Sequence, residues 1–105
     1  MPTSEKQLNF EYQNINKLLH NRLRLALMAS LTQNNEIDFV TLKKAVDTTD
    51  GNLSIQLKKL SGEGYVSTSK SYHKNRPQTK ISLTQKGREA LRDYKVLLNS
   101  WLEDI

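Results

Sequence analysis

A change of period constrains this chain more than any other feature. Across Thr48-Thr49-Asp50-Gly51-Asn52-Leu53-Ser54-Ile55-Gln56-Leu57-Lys58-Lys59-Leu60 the apolar residues Leu53, Leu57 and Leu60 recur at helical spacing. After Gly62-Glu63-Gly64 the pattern becomes two-fold: residues 65–70 and 79–83 alternate and are rich in β-branched side chains. A capped helix with a thin apolar stripe that passes directly into a hairpin leaves few architectures open.

The helix has clear ends. Thr48 or Thr49 can cap it, Asp50 in the first turn suits the positive end of its dipole, and Gly62 and Gly64 are stop residues near Ser61. On a 3.6-residue wheel Leu53, Leu57 and Leu60 form one narrow line, which leaves Asn52, Ser54, Ile55, Lys58 and Lys59 outside and Gln56 at the edge of the stripe. Such an outer face can bond base edges or phosphates, and an exposed Ile55 can lie against a thymine methyl. It can equally be a solvated surface.

The surrounding pattern extends the reading. Leu19, Leu23, Leu27 and Leu31, widened by Leu18, Leu25, Ala26 and Met28, predict a buried helix over 15–31. Asn34-Asn35 ends it, residues 36–38 can form a very short strand, and Asp38 can cap a second helix over 39–46. The turn Asp47-Thr48-Thr49 then joins two short helices as a helix-turn-helix. In the hairpin, residues 71–78 are polar and contain Pro77, which predicts a projecting loop rather than a tight turn. Lys70, Lys74, Arg76 and Lys80, with His73 and Asn75 and no acidic residue between, suit the backbone or minor groove of a duplex. Thr84 can cap a last helix over 84–102, whose Leu91, Tyr94, Leu98 and Trp101 follow the seam pattern of helix pairing.

Whole-chain properties agree. The 105 residues suffice for one domain over 15–102, preceded by an arm or helical extension at 1–14. A hydrophobic content of 36% is lean, which favours completion of the core by a second copy through the terminal helices. A net charge of +5 favours acidic partners. No stretch is apolar enough to cross a bilayer or to serve as a secretory signal, and there is no cysteine, so a cytoplasmic location is expected.

The ordered set Thr49-Asp50-Gly51-Asn52-Leu53-Ser54, Gly64-Tyr65-Val66, Arg76-Pro77-x-Thr79 and Leu83-Thr84-x-x-Gly87-Arg88 resembles the winged-helix transcriptional regulators of the MarR and ArsR groups. The resemblance covers roughly 16–98. It implies a mainly α fold with a small β-hairpin: a three-helix core, a two-stranded wing and a C-terminal dimerisation helix. It further implies a homodimer on double-stranded DNA at a pseudopalindromic site, with residues 50–61 in the major groove and the wing beside it. Carried over residue by residue, Asn52, Ser54, Gln56 and Lys59 are groove contacts and Arg76 the wing-tip contact. The chain departs from thiol-using metal sensors in having no cysteine, and it lacks the longer terminal helices that form the ligand cleft of larger MarR relatives, so no effector follows from the resemblance.

The expected activity is that of a repressor reading a specific DNA sequence, with Thr49, Asp50, Asn52, Ser54, Ile55, Gln56, Lys58, Lys59, Lys70, His73, Lys74, Asn75, Arg76 and Lys80 at the DNA. The alternative is a winged-helix adaptor or RNA-binding module that uses the same basic face. An enzyme is not expected: His20 and His73 are far apart and have no metal-ligand spacing, no Gly-rich phosphate loop is present, and Glu36, Asp38, Asp47 and Asp50 read as caps and surface charges. No cofactor is expected.

Overall fold

A computed structural model describes residues 10–105; the first nine positions of the expected arm lie outside the described residues. After a single 3-10 turn at Tyr12–Asn14 come α1 (Arg22–Leu31), β1 (Ile37–Asp38), α2 (Phe39–Ala45), α3 (Asp50–Gly62), β2 (Val66–His73), β3 (Arg76–Leu83) and α4 (Gln85–Leu102). The strands form an antiparallel sheet in the order β1-β3-β2. The wing is therefore three-stranded at its base, because the short segment before α2 pairs Ile37 with Ile81 and Asp38 with Lys80.

Each helix starts on the cap its sequence supplies. Asp38 accepts the Thr41 N–H at 3.1 Å, Thr49 accepts the Asn52 N–H at 3.2 Å, and Thr84 accepts the Gly87 N–H at 2.9 Å. The left-handed Asp47 (φ 53°) makes the sharp turn between α2 and α3. At the far end of α3, Gly64 (φ 83°) closes the helix: its N–H reaches the Ser61 carbonyl at 2.9 Å while the Tyr65 N–H reaches the Leu60 carbonyl at 2.9 Å. Leu60 and Tyr65 both enter the core, so the stop is also a packing contact.

α1 begins later than its leucine spacing predicts. Asn21 is extended, and its side chain accepts from Leu23 and Arg24, which starts the helix at Arg22. Upstream, Asn16 Oδ1 captures the Leu19 N–H at 3.0 Å, so these short amides divert backbone donors from a continuous helix. Leu19 is nonetheless fully buried, whereas Ala26 is exposed.

The largest departure is the wing tip. Instead of a long loop, Lys74 and Asn75 form a two-residue turn with both residues left-handed (φ 54° and 64°) between fully paired strands. This is the twist-matched hairpin turn that asparagine tolerates. Pro77 does not interrupt it: His73 and Arg76 flank the turn as the hydrogen-bonded pair, so the next pair, Tyr72 and Pro77, needs no N–H between strands.

The core gathers Leu27, Met28 and Leu31 of α1, Leu42 of α2, Leu53, Leu57 and Leu60 of α3, Val66 and Ile81 of the sheet and Tyr94 of α4. α4 carries no room for a side chain at Gly87, where a Cβ would collide with the Tyr65 carbonyl. Among the described residues no helix is long and apolar enough to cross a membrane.

Candidate nucleic-acid interface

α3 divides as its wheel predicts. Leu53, Leu57 and Leu60 are buried, and Asn52, Ser54, Ile55, Lys58 and Lys59 are exposed, with Ile55 at 55%. An isoleucine that stays in water beside amides and lysines is the kind of group that a thymine methyl would cover.

Two residues of the helix start are already engaged. Thr49 spends its hydroxyl on the cap, and the Asp50 carboxylate takes a 2.7 Å ion pair from Lys43 of α2. Both therefore shape the start of α3, while the Asp50 side chain stays 74% exposed.

Gln56 is half-buried, and its side-chain carbonyl accepts from Arg24 Nη1 of α1 at 2.6 Å. Its amide nitrogen donates to Asn52 Oδ1 at 3.2 Å, and Asn52 Nδ2 donates to the Thr48 hydroxyl at 3.0 Å. Arg24 also donates from Nε to the Leu18 carbonyl at 2.6 Å. The exposed Asn52 amide is thus held from both sides, with one oxygen lone pair and one N–H left over.

The strand register sorts the wing residues by face. From the buried Val66, alternate positions Thr68, Lys70 and Tyr72 share a face with Ile81, Thr79 and Pro77. Thr68 and Thr79 border an open hollow of about 510 Å³ with Ser54 and Lys58 of α3, so this face adjoins the helix. The opposite face carries Ser69, Ser71 and His73 across from Lys80, Gln78 and Arg76. There His73, Gln78 and Lys80 border a separate hollow with Glu36 and Asp38.

Lys80 is half-buried and lies 3.4 Å from Glu36, so its charge is countered within the sheet base. Lys70, Lys74, Asn75 and Arg76, with His73, are exposed along the outer part of the hairpin. Sequence reasoning missed Tyr72, 77% exposed on the Lys70 face, although alternation from Val66 would have placed it. It also missed Arg24, whose position between Leu23 and Leu25 gave no sign of a partner on α3.

At the other end, the expected helix seam is split. Tyr94 is buried within the chain's own core at 7% exposure, with its hydroxyl 2.9 Å from His20 Nδ1, and it also lines the groove between α1 and α4. Leu91 and Leu98 are half-buried and, with Leu25, border an open groove of about 470 Å³ between α1 and α4. Trp101, the last residue of that seam, is half-buried against Phe10, ring centroids 6.1 Å apart and edge-on.

Residues 23–102 match the family model described as a winged helix DNA-binding domain. This chain belongs to that family. It is 40% identical over 78 residues to an uncharacterized protein of Methanocaldococcus jannaschii, covering 74% of this chain and 85% of the relative. Among solved structures, the fold is similar to a transcriptional regulator homologue from Pyrococcus horikoshii, with a TM-score of 0.78 at 29% identity over 83% of this chain and 86% of that one. A MarR family transcriptional regulator from Silicibacter pomeroyi is similar at a TM-score of 0.64 and 25% identity, covering 79% of this chain and 55% of that one. The winged-helix, MarR-like character is thereby shown, and with it a DNA-binding transcription regulator.

Proposed function

We propose that this winged-helix protein is a homodimeric repressor that reads a pseudopalindromic double-stranded site, with α3 in the major groove and the wing on flanking backbone or minor groove. The observation that carries the reading is the outer face of α3. Its exposed Asn52 amide is held by Gln56 and Thr48, beside Ser54, Ile55 and Lys59. An amide held in one orientation offers a donor and an acceptor at once, which is what an adenine edge requires in the major groove. Lys58, Lys70, Lys74 and Arg76 supply the sequence-independent attraction.

The lean core and the open Leu25–Leu91–Leu98 groove support pairing of two copies through α1 and α4, with Leu102, 52% exposed, near the same line. Two-fold pairing would set the reading helices about 34 Å apart, one turn of DNA. Repression then follows from occupancy of a promoter.

Binding is tested by fluorescence anisotropy against fragments selected from a genomic library and against random duplex. Asn52→Ala weakens the selected site more than random DNA, whereas Lys74→Ala and Arg76→Ala weaken both. Equal loss on both DNAs for Asn52→Ala sinks the base-reading role. Absence of any salt-sensitive duplex binding at low ionic strength, or preference for structured RNA, sinks the proposal as a whole.

A further inference from the structure

Arg24 lies on α1, away from the outer face of α3, yet it begins a chain of side-chain hydrogen bonds that ends on that face. Its guanidinium has donors and no acceptor. The group at 2.6 Å from its Nη1 must therefore be the oxygen of the Gln56 amide. That choice turns the Gln56 nitrogen toward Asn52, which must answer with its oxygen, at 3.2 Å. Asn52 Nδ2 is then directed to the Thr48 hydroxyl at 3.0 Å. An amide by itself is nearly symmetric in shape, and either flip fits the same space. Here a donor-only group at one end settles the polarity of two amides in succession.

Arg24 is also held in place. It is half-buried, and its Nε donates to the Leu18 carbonyl at 2.6 Å, which anchors the guanidinium to the segment before α1. The relay therefore spans that segment, α1, α3 and the turn before α3. Its solvent end is the one amide on α3 that remains exposed with spare hydrogen-bonding capacity.

We infer that Arg24 is a specificity-determining positioning residue: through Gln56 it fixes which way the Asn52 amide faces, and so which base edge Asn52 accepts. The inference rests on the DNA-reading role proposed above. A protein that holds this amide in one sense discriminates between an adenine edge and its alternatives, because the reversed amide would set donor against donor. With the polarity unlocked, Asn52 samples both senses and discrimination falls, while phosphate contacts persist.

The test is a double-mutant cycle read as a discrimination ratio: affinity for the selected site divided by affinity for random duplex at the same salt. Taking the ratio cancels the uniform loss from deleting one positive charge. In the wild-type background Arg24→Met lowers the ratio by about twofold or more, the factor by which two equal amide senses halve the competent population. In the Asn52→Ala background the same change leaves the ratio unmoved, because the group that Arg24 positions is gone. Arg24→Lys, also donor-only, keeps the ratio at the wild-type value. In the free protein, the side-chain amide resonances of both Gln56 and Asn52 move in Arg24→Met, although Asn52 does not touch Arg24. Circular dichroism establishes that each variant is folded, and Arg24→Gln replaces Arg24→Met should the latter fail to fold.

An unchanged ratio in Arg24→Met, or an equal drop in the Asn52→Ala background, overturns the positioning role while leaving base reading intact. A wild-type protein that shows no ratio above one overturns the DNA-reading role itself, and the inference falls with it.

Discussion

At the scale of single residues, the side chains that look most alike in the sequence have different work. Lys80 and Lys74 are both wing lysines, yet Lys80 faces Glu36 at 3.4 Å and Lys74 forms the exposed tip. Lys74→Ala should thus weaken duplex binding more than Lys80→Ala, as anisotropy titrations can show. Asp38 makes a second residue-scale case. The Thr41 hydroxyl, and after it the Thr41 N–H, hold its carboxyl below the ordinary range. A lowered folded pKa means that stability is present above the unfolded value and is lost as pH falls through the folded one. Asp38→Ala should cost about 1 kcal/mol near neutral pH, the usual worth of a cap, and that cost should shrink below about pH 4 in urea titrations. Gly87 is a third: a methyl there meets the Tyr65 carbonyl, which also accepts the Thr84 N–H at 3.0 Å. Gly87→Ala should destabilise by about 1–3 kcal/mol, since backbone on both sides must shift.

Among elements, the wing is held by its turn and by its register. Lys74 and Asn75 both carry positive φ, a conformation that costs an ordinary L-residue about 1–2 kcal/mol. Asn75→Gly should therefore raise the denaturation midpoint and Asn75→Val lower it, with the far-UV spectrum unchanged in the first variant. A rise on valine substitution would contradict the turn geometry. The helix-turn-helix depends on a different device: Lys43 of α2 and Asp50 of α3 meet at 2.7 Å, but the carboxylate is 74% exposed. Such an exposed pair contributes little, so breaking it should move stability by less than about 1 kcal/mol. Leu42, Leu53 and Leu57 hold the two helices far more strongly by burial.

For the whole molecule, the terminal helix carries the surface on which the proposed assembly depends. α4 has 18 residues, about 27 Å of helix, and only Gly87 and Tyr94 of it are buried. The rest of its apolar line is partly open, which is the basis for proposing that a second copy covers it. Leu102→Lys alters a half-exposed residue outside the core cluster, so it should shift sedimentation equilibrium toward monomer and leave the thermal transition nearly unmoved. Wild-type protein that sediments as a monomer at tens of micromolar would remove the dimer. The salt dependence of binding also belongs to the whole molecule: log affinity should fall with log salt at about 0.9 per phosphate neutralised.

Sequence alone was enough to determine the helix starts at Asp38 and Thr84, the start of α3 at Thr48 or Thr49, the inner and outer lines of α3, and the passage to a hairpin after Gly64. These are local matters, decided by a side-chain oxygen near a free N–H or by spacing against a fixed helical pitch. The start of α1 was legible only in part, because Asn16 and Asn21 compete for backbone donors that leucine periodicity does not register. What only the tertiary structure decided were pairings between distant segments: β1 on β3, Tyr94 with His20, Trp101 with Phe10, and Arg24 with Gln56. Spacing within one helix carries no information about which group faces it from another. For that reason the residues expected at the DNA could be proposed from the chain, while the arginine bonded to Gln56 became visible only once α1 lay across α3.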